Sequence, residues 1–130
     1  MSASLPMVLM RDIRWSFTKG PYKTEAEFVM AVLVYHQDLD IPWHPEQIVL
    51  RRPAVEVQYL CWRDGHEIEP KVRLHNPTGK HFTSATLLFA LHNAVVEDLR
   101  EMDHHFFEGL RLLRQSANDV IPCYHLSLGS

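Results

Sequence analysis

Cysteine is scarce in this chain: Cys61 and Cys123 are the only two in 130 residues, and they do not form a Cys-x-x-Cys pair. That excludes a disulfide scaffold and a four-thiolate zinc site, and leaves two small residues set in apolar, strand-like runs. An excess of either charge is also missing. Lys plus Arg number 13 against 16 Asp plus Glu, for a formal net charge of −3. Such a balance gives no sequence-independent pull toward phosphate backbones, so nucleic acid is not an expected partner. The start, Met1-Ser-Ala-Ser-Leu-Pro, carries no basic stretch followed by an apolar run. The apolar run from Ala85 to Leu91, interrupted by Thr86, falls far short of a bilayer span. The expectation is a cytoplasmic protein with no membrane partner. Glycine-rich phosphate loops, internal repeats and low-complexity tracts are absent too.

What the chain does have is an ordinary globular composition, 46% hydrophobic and 22% charged, at a length near the commonest domain size. Residues 1–130 are therefore expected to form one α+β domain that folds without metal or disulfide.

Along the chain, Val8 to Phe17 reads as a half-buried strand, with Ile13, Trp15 and Phe17 on one side. Lys19-Gly20-Pro21 breaks it. Thr24-Glu25-Ala26-Glu27 is a capping box, in which the Thr24 hydroxyl and the Glu27 carboxylate serve each other's amides. A helix from about residue 25 to 38 should follow, with Phe28, Ala31, Val32, Tyr35 and Leu39 as one apolar stripe. Pro42 ends it. Gln47 to Arg51 is a short extended run. The plainest local signal is a hairpin: Val55, Val57, Tyr59 and Cys61 alternate with Glu56, Gln58, Leu60 and Trp62. Asp64-Gly65 then turns the chain, and Ile68, Val72 and Leu74 return it. Pro70 cannot donate to a ladder, so the return arm should be an edge strand or carry a bulge. A second helix should run from Thr83 or Ser84 to about Met102, burying Leu87, Leu88, Leu91, Val95 and Leu99. Strands at about His105 to Leu113 and Val120 to Leu128 close the chain, joined by the loop at 115–119. The expected fold is α+β: a twisted antiparallel sheet of four to six strands with both helices on one face, in the order β-α-(β)-β-β-α-β-β.

The chemistry is sparse. Nine histidines invite a metal reading, but there is no His-x-x-x-His and no His-Glu-x-x-His, and adjacent His104 and His105 would point to opposite faces of a strand. Cys123 and His125 share a strand face without a third group to orient them, so they read as structural rather than as a thiol nucleophile. No catalytic residue, metal ligand or cofactor is expected. Trp43 and His44 lie between prolines, where a rigid segment could hold a ring toward a partner, and Trp62 lies on the hairpin face away from Val57 and Tyr59; core packing under a loop is the more common use of such a tryptophan. Glu97, Asp98, Glu101 and Asp103 cluster in sequence, as the outer face and end of the second helix. These seven side chains are the candidate partner-binding residues.

Three stretches carry a resemblance: Phe82-Thr-Ser-Ala-Thr-Leu-Leu-Phe-Ala-Leu-His-Asn93, Asp103-His-His-Phe-Phe-Glu-Gly-Leu110 and Tyr124-His-Leu-Ser-Leu-Gly-Ser130. In them the C-terminal half resembles small bacterial immunity proteins of polymorphic and contact-dependent toxin systems. The resemblance implies a cytosolic, non-catalytic protein that blocks a cognate protein toxin by covering its active site. The acidic cluster would suit the basic groove of a nuclease toxin. Two other classes stand beside it: a small metal-dependent or hydrolytic enzyme built on a His/carboxylate cluster, and a structural or regulatory subunit that self-associates, for instance as a homodimer.

Overall fold

The computed structural model describes residues 5–76, 79–113 and 120–129. Its elements in chain order are β1 (Val8–Leu9), α1 (Glu25–Leu39), β2 (Ile48–Leu50), β3 (Ala54–Gln58), β4 (Cys61–Arg63), β5 (His66–Ile68), β6 (Lys71–His75), β7 (Phe82–Thr83), α2 (Ser84–Leu99), β8 (Phe106–Leu112) and β9 (Cys123–Gly129). The α+β class stands, with two helices and a five-stranded sheet in the order β1-β8-β9-β3-β6. The sheet is not purely antiparallel, because β3 and β9 run parallel (Val57 beside Tyr124). Two antiparallel hairpins, β3/β6 and β8/β9, are joined side by side through strands that point the same way. Alternation within a hairpin says nothing about how two hairpins join, so this pairing could not be read locally.

The hairpin around Asp64-Gly65 keeps one register from Ala54↔His75 to Arg63↔His66. Asp64 (φ 51°) and Gly65 (φ 78°) are both left-handed, as a tight two-residue turn requires. Near Pro70 the ladder lapses, leaving β4/β5 as a separate tip, and β6 lies at the sheet edge as a proline-bearing arm should. The expected first strand is divided. Met10 adopts φ 57° and its carbonyl accepts from the Ile13 amide, so only Val8–Leu9 pairs regularly with β8. The segment after it rejoins the same edge of β8 through the Ser16–Phe106 bridge, and Ile13, Trp15 and Phe17 are buried as their alternation implies.

Strand β8 carries a bulge that its sequence conceals. The register slips between Phe107 and Leu110, and Gly109 sits at φ 105° with Leu9 O only 3.1 Å from where a Cβ would stand. The extra residue turns both Phe107 and Leu110 into the core although they are three positions apart.

One face of the sheet is apolar: Leu9, Leu110, Leu112, Tyr124, Leu126, Val55, Val57 and Leu74 are all buried. Helix α2 covers that face with Leu87, Leu88, Leu91, Val95 and Leu99, each 0% exposed. Burying each such leucine or valine contributes about 1.5–3 kcal/mol. The helix starts at Thr83, whose hydroxyl and that of Thr86 serve each other's amides as a complete capping box. The first amides of α2, on Ser84 and Ala85, donate to Gln47 O and Pro45 O, so the prolyl linker satisfies the helix start. Of the capping box expected at the start of α1, one half forms, with the Thr24 hydroxyl accepting from the Glu27 amide, and the helix packs on α2. Its apolar residues exceed one stripe: Met30, Val34 and Leu39 are 61%, 51% and 48% exposed. Leu39 thus leaves the stripe assigned to it, because the helix ends there at left-handed Asp40.

Between α1, α2 and the 13–22 segment lies an aromatic cluster around His92, which is fully buried. Its Nδ1 accepts from Trp15 Nε1 at 3.0 Å, which leaves Nε2–H to donate to Gly20 O at 3.1 Å. Phe17 stacks on the imidazole, Tyr22 meets it edge-on and Phe28 lies tilted against it. The neighbouring Asn93 amide holds both backbone groups of Tyr22. Burial lowers the proton affinity of His92, so it is a neutral ring with a fixed tautomer.

Candidate partner-binding groove

The β4/β5 tip is too short to be stable alone; a charged clamp holds it to α2. Asp98, expected on a solvated helix face, is half-buried and accepts from Arg63 Nε (3.0 Å), Arg63 Nη2 (2.6 Å) and the Tyr59 hydroxyl (2.6 Å). The Arg63 guanidinium, with the Tyr59 hydroxyl, holds the Asp98 carboxyl below its usual range. Burial and the Asp98 bond push the Tyr59 phenol up, and burial raises the Cys61 thiol, so neither ionises near neutral pH. The bidentate fork fixes the direction of the strand carrying Arg63, and therefore of its neighbour Trp62.

Cys61 points into the core, fully buried. Trp62, one residue on, points out and is 55% exposed. It borders a groove of about 470 Å³ lined by Leu60, Met102, Leu126 and Leu128, with His104, Arg111, His125 and Ser127 as the polar groups. Arg111 and His125 are direct cross-strand partners, so their side chains stand together on the sheet face away from the helices. Among the described residues Arg111 makes no ion pair, whereas His125 Nε2 lies 3.7 Å from a Glu69 carboxylate oxygen.

The seven candidate residues fall into two places. Trp62 and Asp98 are joined through Arg63, and Glu97, Glu101 and Asp103 flank them at the same end of α2. This acidic group offers less free charge than its sequence implies: Asp98 is consumed by Arg63, and Glu97 lies 3.4 Å from Arg100. Glu101 and Asp103 are exposed. Trp43 and His44 lie elsewhere, on a second cleft of about 510 Å³ beside β1 and β2. The picture of Trp43 as a poorly buried ring is corrected. It is 9% exposed and its Nε1 donates to the buried Ser84 hydroxyl at 2.8 Å, because the linker folds back over the start of α2. His44 is exposed at the rim.

Sequence reasoning missed Leu60, Met102, Arg111 and His125, which come from separate elements: Arg111 and His125 meet across β8/β9, and the parallel β3/β9 junction brings the chain that leads to Leu60 beside them. It also missed Arg63 as the partner of Asp98. Among the described residues no three His, Cys, Asp or Glu side chains converge as metal ligands would, and no helix is long and apolar enough to cross a membrane. No family model, curated protein or solved structure matches the chain.

Proposed function

We propose that this chain is a non-catalytic protein-binding module that acts in the cytoplasm through the Trp62 groove, and that its partner is a bacterial toxin which it neutralises by direct contact. The observation that carries the reading is Trp62 itself: a large ring more than half exposed on a tip clamped by Arg63 and Asp98. A rigid, exposed tryptophan beside an apolar groove with a polar rim is the anatomy of an interface hot spot. The likeness to immunity proteins supplies the toxin. Co-purification and calorimetry with any toxin-like protein found to be encoded beside this chain test it: a nanomolar complex weakened by Trp62→Ala is expected, and the absence of a toxin-like neighbour or of a complex would refute it.

A second reading, a subunit that self-associates, has its own support in the outer face of α1. There Met30 and Val34 stand exposed one turn apart beside a groove lined by Trp15, Tyr22 and Tyr35. An exposed apolar stripe of this kind is unusual on a helix with no partner.

A further inference from the structure

The charged side chain that lines the Trp62 groove has a sign that the sequence did not suggest, although Glu101 and Asp103 stay exposed beside it. Of the four carboxylates expected to present an acidic surface, Asp98 and Glu97 are matched by Arg63 and Arg100. Inside the groove the charged side chain is basic, because Arg111 lines it and has no ion-pair partner among the described residues. His125 stands directly across from it in the β8/β9 ladder, and His104 comes in from the chain leaving α2. Imidazoles can donate hydrogen bonds to an anion in either protonation state. One carboxylate of this chain, Glu69, already approaches His125 to 3.7 Å.

We infer that the groove takes an acidic peptide segment of the partner, with an apolar side chain laid against Trp62, Leu60 and Met102 and a carboxylate received by Arg111 beside His125. The inference rests on the protein-binding reading above and names the chemistry of its partner, which is acidic rather than the basic groove that the carboxylates Glu97, Asp98, Glu101 and Asp103 first suggested. A guanidinium offers a planar fork that a carboxylate matches with two parallel bonds, whereas an amide of the same shape offers one acceptor and a repelling donor. The apolar wall supplies affinity, and the cation selects which segment may use it.

The test uses the whole chain, labelled for amide and indole NMR, titrated with acetyl-Ala-Leu-Phe-Asp-Glu-amide and with its neutral twin acetyl-Ala-Leu-Phe-Asn-Gln-amide. The acidic peptide is expected to shift the Trp62 indole and the Arg111 and His125 amides, and to bind about tenfold more tightly than the twin, the scale of one charge-assisted bond. Arg111 is exposed, so Arg111→Gln should fold and should bring the acidic peptide down to the affinity of the twin. Arg111→Lys, which keeps the charge but loses the fork, should fall between. Equal binding of the two peptides, no effect of Arg111→Gln, or no binding of either at millimolar concentration would overturn the inference. If these fail while Trp62→Ala still disrupts a complex with the whole toxin, only the acidic-segment inference falls. If Trp62→Ala leaves that complex intact, the groove itself is the wrong surface and both readings fall.

Discussion

Lowering the pH should attack the fold first at His92. Its Nδ1 lone pair accepts from Trp15 Nε1–H at 3.0 Å and its Nε2–H is spent on Gly20 O. A proton arriving at Nδ1 would set two donors against each other inside a cluster of aromatic rings. Burial accordingly keeps the folded histidine below its ordinary value of 6.5. The unfolded chain takes up that proton as pH drops below about 6.5 while the folded one does not, so the unfolded state gains stability. The His92 contribution is thus intact above that value and is lost at about 1.4 kcal/mol per pH unit below it, until the folded ring itself titrates. His92→Gln supplies the control. A glutamine carries one acceptor and one donor that can serve Trp15 and Gly20, and it has no proton to gain. Urea unfolding of both proteins at about pH 7.5 and about pH 5.5 should show the wild type losing more stability than the variant over that interval, with about 1.4 kcal/mol as the ceiling for a ring that stays neutral when folded. The other histidines are common to both proteins and cancel. Parallel losses would refute the buried, neutral tautomer and with it the account of how the 13–22 segment is fixed to α2.

Other parts of the structure make equally definite predictions. Gly109→Ala forces a side chain into a left-handed residue with Leu9 O 3.1 Å from its Cβ position; it should cost about 1–3 kcal/mol in denaturant unfolding, and a neutral result would deny the bulge. Asp98→Asn removes the charge that grips Arg63, so amide exchange should rise in β4 and β5 and not in β3 or β9. In the wild type the same loosening should begin only as pH falls below the ordinary carboxylate value of 3.8 and be complete once it passes the lower folded value. On α1, Val34→Glu should leave stability nearly unchanged, since Val34 is 51% exposed. If that face holds copies together, light scattering coupled to chromatography will show the mass falling to that of a single chain; an unchanged mass means the face serves no self-association.

The local features were legible because they depend on neighbours in sequence. Thr24 and Thr83 start their helices, Asp64-Gly65 turns the hairpin, and the Leu87-to-Leu99 stripe is buried throughout. Apart from the break at Met10 and the exposure of Leu39 where α1 ends at Asp40, the failures are non-local. Nothing near Cys123 announces that β9 lies parallel to β3. Phe106 to Leu112 gives no sign of a bulge except a glycine, which alternation alone cannot place. Of the two uses open to Trp43, a ring held toward a partner or a ring packed inward, the structure has the second, because the prolyl linker folds onto the start of α2. Trp62 was expected on the outward face of the hairpin and stands there, 55% exposed. The groove beside it was not legible, since Leu60, Met102, Arg111 and His125 stand on four different segments.

Function is proposed to reside at the Trp62 groove, and the affinity for a toxin-like protein, sought among the products encoded beside this chain, tests that most directly. Calorimetry of the wild type against Trp62→Ala should show a loss of about 2 kcal/mol or more, the mark of a hot-spot anchor, with the fold unchanged because the ring is 55% exposed. A complex that forms equally well without the indole would contradict the claim.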